Sequence, residues 1–215
     1  MKEDDEIISF KIITIGNCGV GKTSILQRFI EGTFNEDLMP TFGMNYKIKI
    51  NTLKNGKKIQ LKLFDTAGQE KYRSLSKSFF KNVDGVLFVY ALNDKSSFEN
   101  IKHWIKTFTE NHNGKKDIPL YLIENKNDLE KEVNKELVND FLLENINFKF
   151  KSISAKLNKD NSINELFQEI SEILYIDYKE SGKENRKQKI IKIENYSEKY
   201  KNLNKLNSCS LCQEE

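Results

Sequence analysis

Cysteine is scarce in this chain. Only Cys18, Cys209 and Cys212 occur in its 215 residues, too few and too badly placed for a disulfide framework, so a reducing compartment is expected. Long apolar runs are missing too. The longest, Val86 to Leu92, falls far short of the roughly 20 residues a membrane-spanning helix needs, and no transmembrane helix is expected. The N-terminus, MKEDDEIISF, is acidic where a signal or transit peptide would be basic, which argues against export or organelle import and for a cytoplasmic protein. A strong charge of one sign is also lacking. The formal net charge is +3, and residues 1–178 balance 26 basic groups against 26 acidic ones. The excess lies in residues 179–215, where nine Lys and Arg face six Asp and Glu. That balance is too weak for a dedicated nucleic-acid binder but leaves an anionic membrane surface open as a partner.

What is present is a globular composition, with 38% hydrophobic and 31% charged residues, including 14 Phe and 8 Tyr. This is enough for one large domain with a sizeable core. Strand-like and helix-like segments alternate with short joints, the pattern of an α/β domain on a mostly parallel sheet. Ile7 to Ile15 is a β-branched run ending at a glycine, and residues 22–31 read as a helix with Ile25, Leu26, Phe29 and Ile30 on one face. Two alternating segments around Tyr46–Ile50 and Ile59–Leu63, joined through Lys54-Asn55-Gly56, read as a hairpin. Further strands are expected at 85–90, 120–123 and 148–152, with helices near 96–111, 134–144 and 162–178. The expectation is six strands and about five helices. Beyond Tyr178, Lys and Asn dominate and no period is clear, so residues 179–215 read as a mobile linker in which Ile190, Ile191 and Ile193 could dock or add a helical turn.

Three motifs carry chemistry. Gly16-Asn17-Cys18-Gly19-Val20-Gly21-Lys22-Thr23 matches G-x-x-x-x-G-K-[ST] between the first strand and the first helix, the context a phosphate-binding P-loop requires. Its glycines let backbone N–H groups and a helix N-terminus approach phosphate, with Lys22 reaching the β- and γ-phosphates and the Thr23 hydroxyl ligating Mg²⁺. The second motif is Asp65-Thr66-Ala67-Gly68-Gln69. Asp65 can hold a Mg²⁺-bound water, Gly68 can offer an N–H to the γ-phosphate, and Gln69 can orient a water for in-line attack. The third motif, Asn125-Lys126-Asn127-Asp128 with Ser154-Ala155-Lys156, selects the base. A carboxylate at Asp128 can accept both guanine donors, N1–H and the exocyclic amine, a pair adenine lacks. Asn125 and the Ala155 N–H can serve the O6 side, and the stem of Lys126 can lie along the ring.

In order and spacing these motifs resemble those of Ras-like small GTPases, over residues about 8–178. Only seventeen positions separate Ser24 from Thr41, so the helical insertion of heterotrimeric G-protein α subunits is absent, and Asp128 to Val133 leaves no room for a Rho-type insert. Lys2 excludes the myristoylated glycine of Arf proteins. Thr41-Phe42-Gly43-Met44-Asn45-Tyr46 is similar to the Rab pattern T-I-G-x-x-F, and Lys71 to Leu75 with Phe79 to Gly85 is similar to a further Rab run. Phe42, Phe64 and Phe79-Phe80 stand where Rabs carry Ile, Trp and Tyr-Tyr, which marks a divergent member.

The resemblance implies a P-loop NTPase fold for residues 1–178 and a GTP/GDP switch that hydrolyses GTP with Mg²⁺. It implies nucleotide contacts from Cys18, Gly19, Val20, Gly21, Lys22, Thr23, Ser24, Phe34, Thr41, Gly68, Asn125, Lys126, Asp128, Ser154, Ala155 and Lys156. Thr23, Thr41 and Asp65 would hold the metal, and Gln69 would be the catalytic group. Phe34 packs on guanine by this reading and is a core residue by its type alone. Cys18 reads as a small residue tolerated near the γ-phosphate, and His103, Trp104 and His112 as packing and surface. The only arginine between the P-loop and Thr41 is Arg28, so no cis arginine finger is evident. Related GTPases without one turn over at roughly 10⁻⁴ s⁻¹ and gain about 10⁵-fold from a partner's arginine. Segments 33–44 and 66–80 would order with GTP. The implied partners are an exchange factor, an activating protein, a dissociation inhibitor and effectors of vesicle traffic, with the protein a monomer. A Ras-type signalling role and a non-hydrolysing scaffold are the alternatives. Cys209 and Cys212 would be prenylated by Rab-type machinery, tethering the protein to the cytosolic face of a membrane.

Overall fold

The computed structural model describes residues 6–39, 41, 44–66, 79–115, 117–181 and 190–192. All six expected strands form: β1 (Glu6–Ile15), β2 (Met44–Thr52), β3 (Lys58–Thr66), β4 (Gly85–Ala91), β5 (Leu120–Asn125) and β6 (Phe148–Ser152). They lie side by side in the order β2-β3-β1-β4-β5-β6. The β2–β3 hairpin is antiparallel, and every other pairing along that path is parallel. The chain therefore belongs to the mostly parallel α/β class read from its alternating segments.

Among the described residues five α-helices cover the sheet: α1 (Lys22–Glu31), α2 (Lys95–Glu99), α3 (Ile101–Asn111), α4 (Lys135–Glu144) and α5 (Ser162–Glu180). The stretch expected as one helix over 96–111 is two. Asp94 caps α2 by accepting from the Ser97 N–H, and the Ser97 hydroxyl turns back to donate to Asp94 O. The path then breaks at Asn100, where ψ is −9°.

The central strand β4 is apolar on both faces because both faces are covered, whereas the outer strands β2 and β6 carry lysines and exposed positions. In β4, Leu87, Val89 and Ala91 join the core under α1 and α5, while Val86, Phe88 and Tyr90 join the core under α2, α3 and α4. Helix α1 is fixed to α5 by Phe29 and Phe167, whose rings stack with centroids 3.9 Å apart. Among the described residues no helix is long and apolar enough to cross a membrane.

The tail adds a seventh strand. Ile190–Lys192 (β7) pairs antiparallel with the start of β1, in the register Glu6↔Lys192, Ile7↔Ile191 and Ile8↔Ile190. β1 meets β4 only from Ile12 onward, so its first residues keep a free backbone edge on that side, and two isoleucines suited to extended backbone fill it. These three residues of the expected linker are thus joined to the sheet.

Candidate nucleotide-binding site

Four strands end at the same rim of the sheet. β1 runs into the loop Gly16–Gly21, β3 carries Asp65, β5 ends at Asn125, and β6 leads into Ser154-Ala155-Lys156. Between them lies a cavity of about 500 Å³, in the range of small-molecule sites. Its lining includes Cys18, Gly19, Gly21, Lys22, Thr23, Ser24, Phe34, Thr41, Asn125, Lys126, Asp128, Ala155 and Lys156. Most residues expected from the three motifs therefore meet around one space.

The phosphate-loop end is built for an anion. Gly21 is the N-cap of α1 and supplies no side-chain cap, and no acidic residue lies in the first turn, so the leading N–H groups remain available to a ligand. Glycine is required at two points. A Cβ at Gly16 would sit 2.1 Å from Val89 O, and one at Gly21, whose φ is 93°, would sit 2.3 Å from Asn125 Nδ2. Lys22 is buried, and its Nζ donates to Gly16 O (2.9 Å) and Asn17 O (2.7 Å). Burial pushes its pKa down to about 8, with the negative charge of Asp65 opposing. A phosphate would supply the anionic partner that the two carbonyls only partly replace.

Thr23, Thr41 and Asp65 converge as expected. Thr23 Oγ1 donates to Asp65 Oδ2 at 2.6 Å and lies 2.8 Å from Thr41 Oγ1, which is itself 3.3 Å from Asp65 Oδ2. The other oxygen, Asp65 Oδ1, is buried and has no hydrogen-bond partner among the described residues. Burial raises the Asp65 pKa against the opposing Thr23 hydrogen bond. One carboxylate with an unspent oxygen and two hydroxyls form a sparse hard-oxygen set, which fits a Mg²⁺ that also keeps waters and phosphate oxygens.

At the base end, Asn125 is 1% exposed. Its Nδ2 donates to Val20 O (2.8 Å), and its Oδ1 accepts from the Ala155 N–H (3.1 Å). Both residues line the cavity, and they also bind each other and the phosphate loop, because a buried amide and a buried N–H must find partners. Val20 is likewise core, contributing its carbonyl, and Ser154 Oγ accepts from the Leu157 N–H and shapes the turn. Lys126 holds φ at 61°, a left-handed conformation that costs a non-glycine residue about 1–2 kcal/mol. Asp128 lines the cavity beside it.

Phe34 lines the cavity while packing against the α1/α5 core, with the Arg28 guanidinium 5.8 Å from its ring centre. Arg28 itself donates to Ala155 O, Lys156 O and Gly32 O. Gly68 and Gln69, like Phe42 and the tail cysteines, lie outside the described residues.

Two features escaped the sequence. Trp104 Nε1 donates to Asn17 Oδ1 (2.8 Å), so α3 grips the phosphate loop, and the Lys156 ammonium pairs with Glu36 at 2.5 Å beside the cavity. Neither partner sits near the other in sequence, so no local pattern could have shown the pairs.

A model of the Ras family matches residues 11–175. Ras-related protein SEC4 of Saccharomyces cerevisiae is 37% identical over 164 residues, 76% of this chain and 74% of its own length. Ras-related protein RabC of Dictyostelium discoideum is 36% identical over 76% of this chain and 82% of its own, and Ras-related protein Rab-8A of Pongo abelii is 35% identical over 75% and 78%.

The glycine geometry separates two substitutions in one loop. Gly19→Ala has open space for its Cβ and meets only the strain of a positive φ. Gly21→Ala must also displace the Asn125 amide. Dissociation of a fluorescent guanine nucleotide should therefore accelerate at least about tenfold more for Gly21→Ala than for Gly19→Ala. Equal losses would refute the steric account.

Proposed function

Because the chain belongs to the Ras family, among its Rab-type small GTPases, we propose that it is a GTP/GDP switch that hydrolyses GTP slowly and recruits effectors of vesicle traffic in its GTP form. The observation that carries this reading is the meeting of Lys22, the Thr23–Thr41–Asp65 oxygen set and the Asp128 loop around one cavity.

In this mechanism the phosphate loop and the α1 N-terminus bind the phosphate chain, and Lys22 exchanges its two carbonyl partners for phosphate oxygen. Thr23, Thr41 and Asp65 would hold a Mg²⁺, which would supply neutralisation of the phosphate charge. Gln69 orients the attacking water. Arg28 is committed to three backbone carbonyls and cannot swing to the γ-phosphate without breaking them. Hydrolysis is accordingly slow until an activating protein brings an arginine.

Output passes through the segments around Thr41 and beyond Asp65. Beside them Tyr46, 57% exposed, stacks on Phe64 with centroids 5.3 Å apart, and Phe64 meets Phe79 edge-on. This aromatic surface suits an effector that responds to the ordering of both segments. The tail carries the membrane anchor, with Cys209 and Cys212 prenylated. Two lipids give stable attachment where one is marginal, and the net +5 over residues 182–206 adds attraction to anionic headgroups.

Three outcomes test this reading. Asp128→Asn replaces an acceptor-only group by an amide that must present a donor to guanine, so GDP affinity should fall roughly tenfold or more while xanthosine diphosphate gains relative to it. Binding of ATP as tightly as GTP by the unaltered chain would defeat the guanine assignment. Gln69→Leu should keep nucleotide affinity and lose turnover in a single-turnover assay, and hydrolysis equal to the unaltered chain, with and without an activating protein, would remove Gln69 from the mechanism. Intact mass from the native cell should show two prenyl groups, and replacing both cysteines by serine should release the protein from membranes. An unmodified mass with unchanged membrane association would sink the anchor.

A further inference from the structure

Below the base end of the cavity, Tyr90 of β4, Glu124 of β5 and Ser152 of β6 form one cross-strand row, paired Tyr90↔Glu124 and Glu124↔Ser152. Their side chains are hydrogen-bonded in series. Tyr90 OH donates to Glu124 Oε2 (2.6 Å), and Ser152 Oγ donates to Glu124 Oε1 (2.7 Å). Asn127 Nδ2, in the base loop, then donates to Ser152 Oγ (3.1 Å). A carboxylate accepts and does not donate, so Glu124 fixes every direction in this chain. The serine must spend its proton on the carboxylate, and its lone pair is left facing Asn127. Burial, with Glu124 alongside, pushes the Tyr90 phenol above its usual pKa and keeps it a donor.

The loop that receives this support needs it. Lys126 is held in a left-handed conformation, which persists only where its surroundings over-determine it. Asn125 is fixed on one side by Val20 O and the Ala155 N–H. On the other side Asn127 is fixed twice, by its backbone N–H on Ile153 O (3.2 Å) and by its side chain on Ser152. Asp128 follows directly.

We infer that Glu124 and Ser152 are positioning residues for base selection, setting the place of the Asp128 carboxylate through Asn127. This deepens the guanine reading and rests on it. Neither residue lines the cavity, so neither touches the nucleotide, and their effect must appear as discrimination. The sensitive comparison is GDP against inosine diphosphate, which lacks only the exocyclic amine that Asp128 would accept from.

Ser152 is exposed, so Ser152→Ala should fold with a nearly unchanged melting temperature. Its preference for GDP over inosine diphosphate should fall about threefold to tenfold, by loss of one ordering hydrogen bond. Glu124→Ala should lose at least as much, whereas Glu124→Gln, which can still bridge its neighbours with a reversed serine, should recover most of the preference. Tyr90→Phe removes the far end of the chain and should lower stability without changing the preference. Hydrogen exchange at the Asn127 and Asp128 amides gives a readout independent of nucleotide, and it should quicken in Ser152→Ala. Unaltered preference and unaltered exchange in Ser152→Ala would overturn the inference, as would an equal loss of preference in Tyr90→Phe. If the unaltered chain itself shows no preference for GDP, the guanine reading falls, and the exchange measurement alone then decides whether the row holds the loop.

Discussion

Everything at the rim of the sheet depends on one buried amide. Asn125 sits at the end of β5 and binds a carbonyl of the phosphate loop with its nitrogen and an N–H of the β6 loop with its oxygen. Three loops, far apart in sequence, are thereby given one relative position. The amide suits this task because it donates and accepts at once, and at 1% exposure it has no water to turn to. The requirement for glycine at position 21 follows from it, since any Cβ there would collide with that nitrogen.

Around this clamp the protein holds groups that do not favour its own fold. Among the described residues, Lys22 is a buried cation hydrogen-bonded only to carbonyls, Asp65 keeps a buried oxygen without a partner, and Lys126 has a left-handed backbone. A phosphate would give Lys22 an anionic partner and a cation would give Asp65 one, while a base against Lys126 would offset the strain of its backbone. A ligand that binds only the folded state adds its binding energy to stability, so these local costs translate into a fold whose stability is strongly linked to nucleotide.

Much of this was legible in the sequence. The phosphate loop was readable because its glycines, lysine and threonine are contiguous, and the core faces because strands and helices impose periods of two and about 3.6 residues. Helix α1 fell on its expected bounds for the same reason. The break at Asn100 was not legible, since Asn100 ends α2 and begins α3 within a continuous helical pattern. Asn125 and Ala155 line the cavity as well as binding each other and the phosphate loop, and the latter bonds were not legible because they join residues 30 and 105 positions apart. The Trp104–Asn17 bond and the Tyr90–Glu124–Ser152 row were invisible because they are made by sheet register and helix packing, which join residues separated by 87, 34 and 28 positions. Strand β7 depended on an edge that exists only because β1 starts pairing with β4 late.

The two ends of the cavity differ in how firmly they are made. At the base end, Asn125 and Asn127 are each held by side-chain and backbone bonds to neighbouring elements, and Arg28 ties α1 to the carbonyls of Ala155 and Lys156. At the phosphate end, Thr41 reaches the rest of the site through its hydroxyl, against Thr23 and Asp65. A contact of that kind is worth little by itself, about 1 kcal/mol, and would be remade if a metal and a terminal phosphate changed its partners. A switch needs this asymmetry. If both ends were equally firm, the loss of one phosphate could not move anything, and if both were equally loose, the nucleotide would leave before its state could be read.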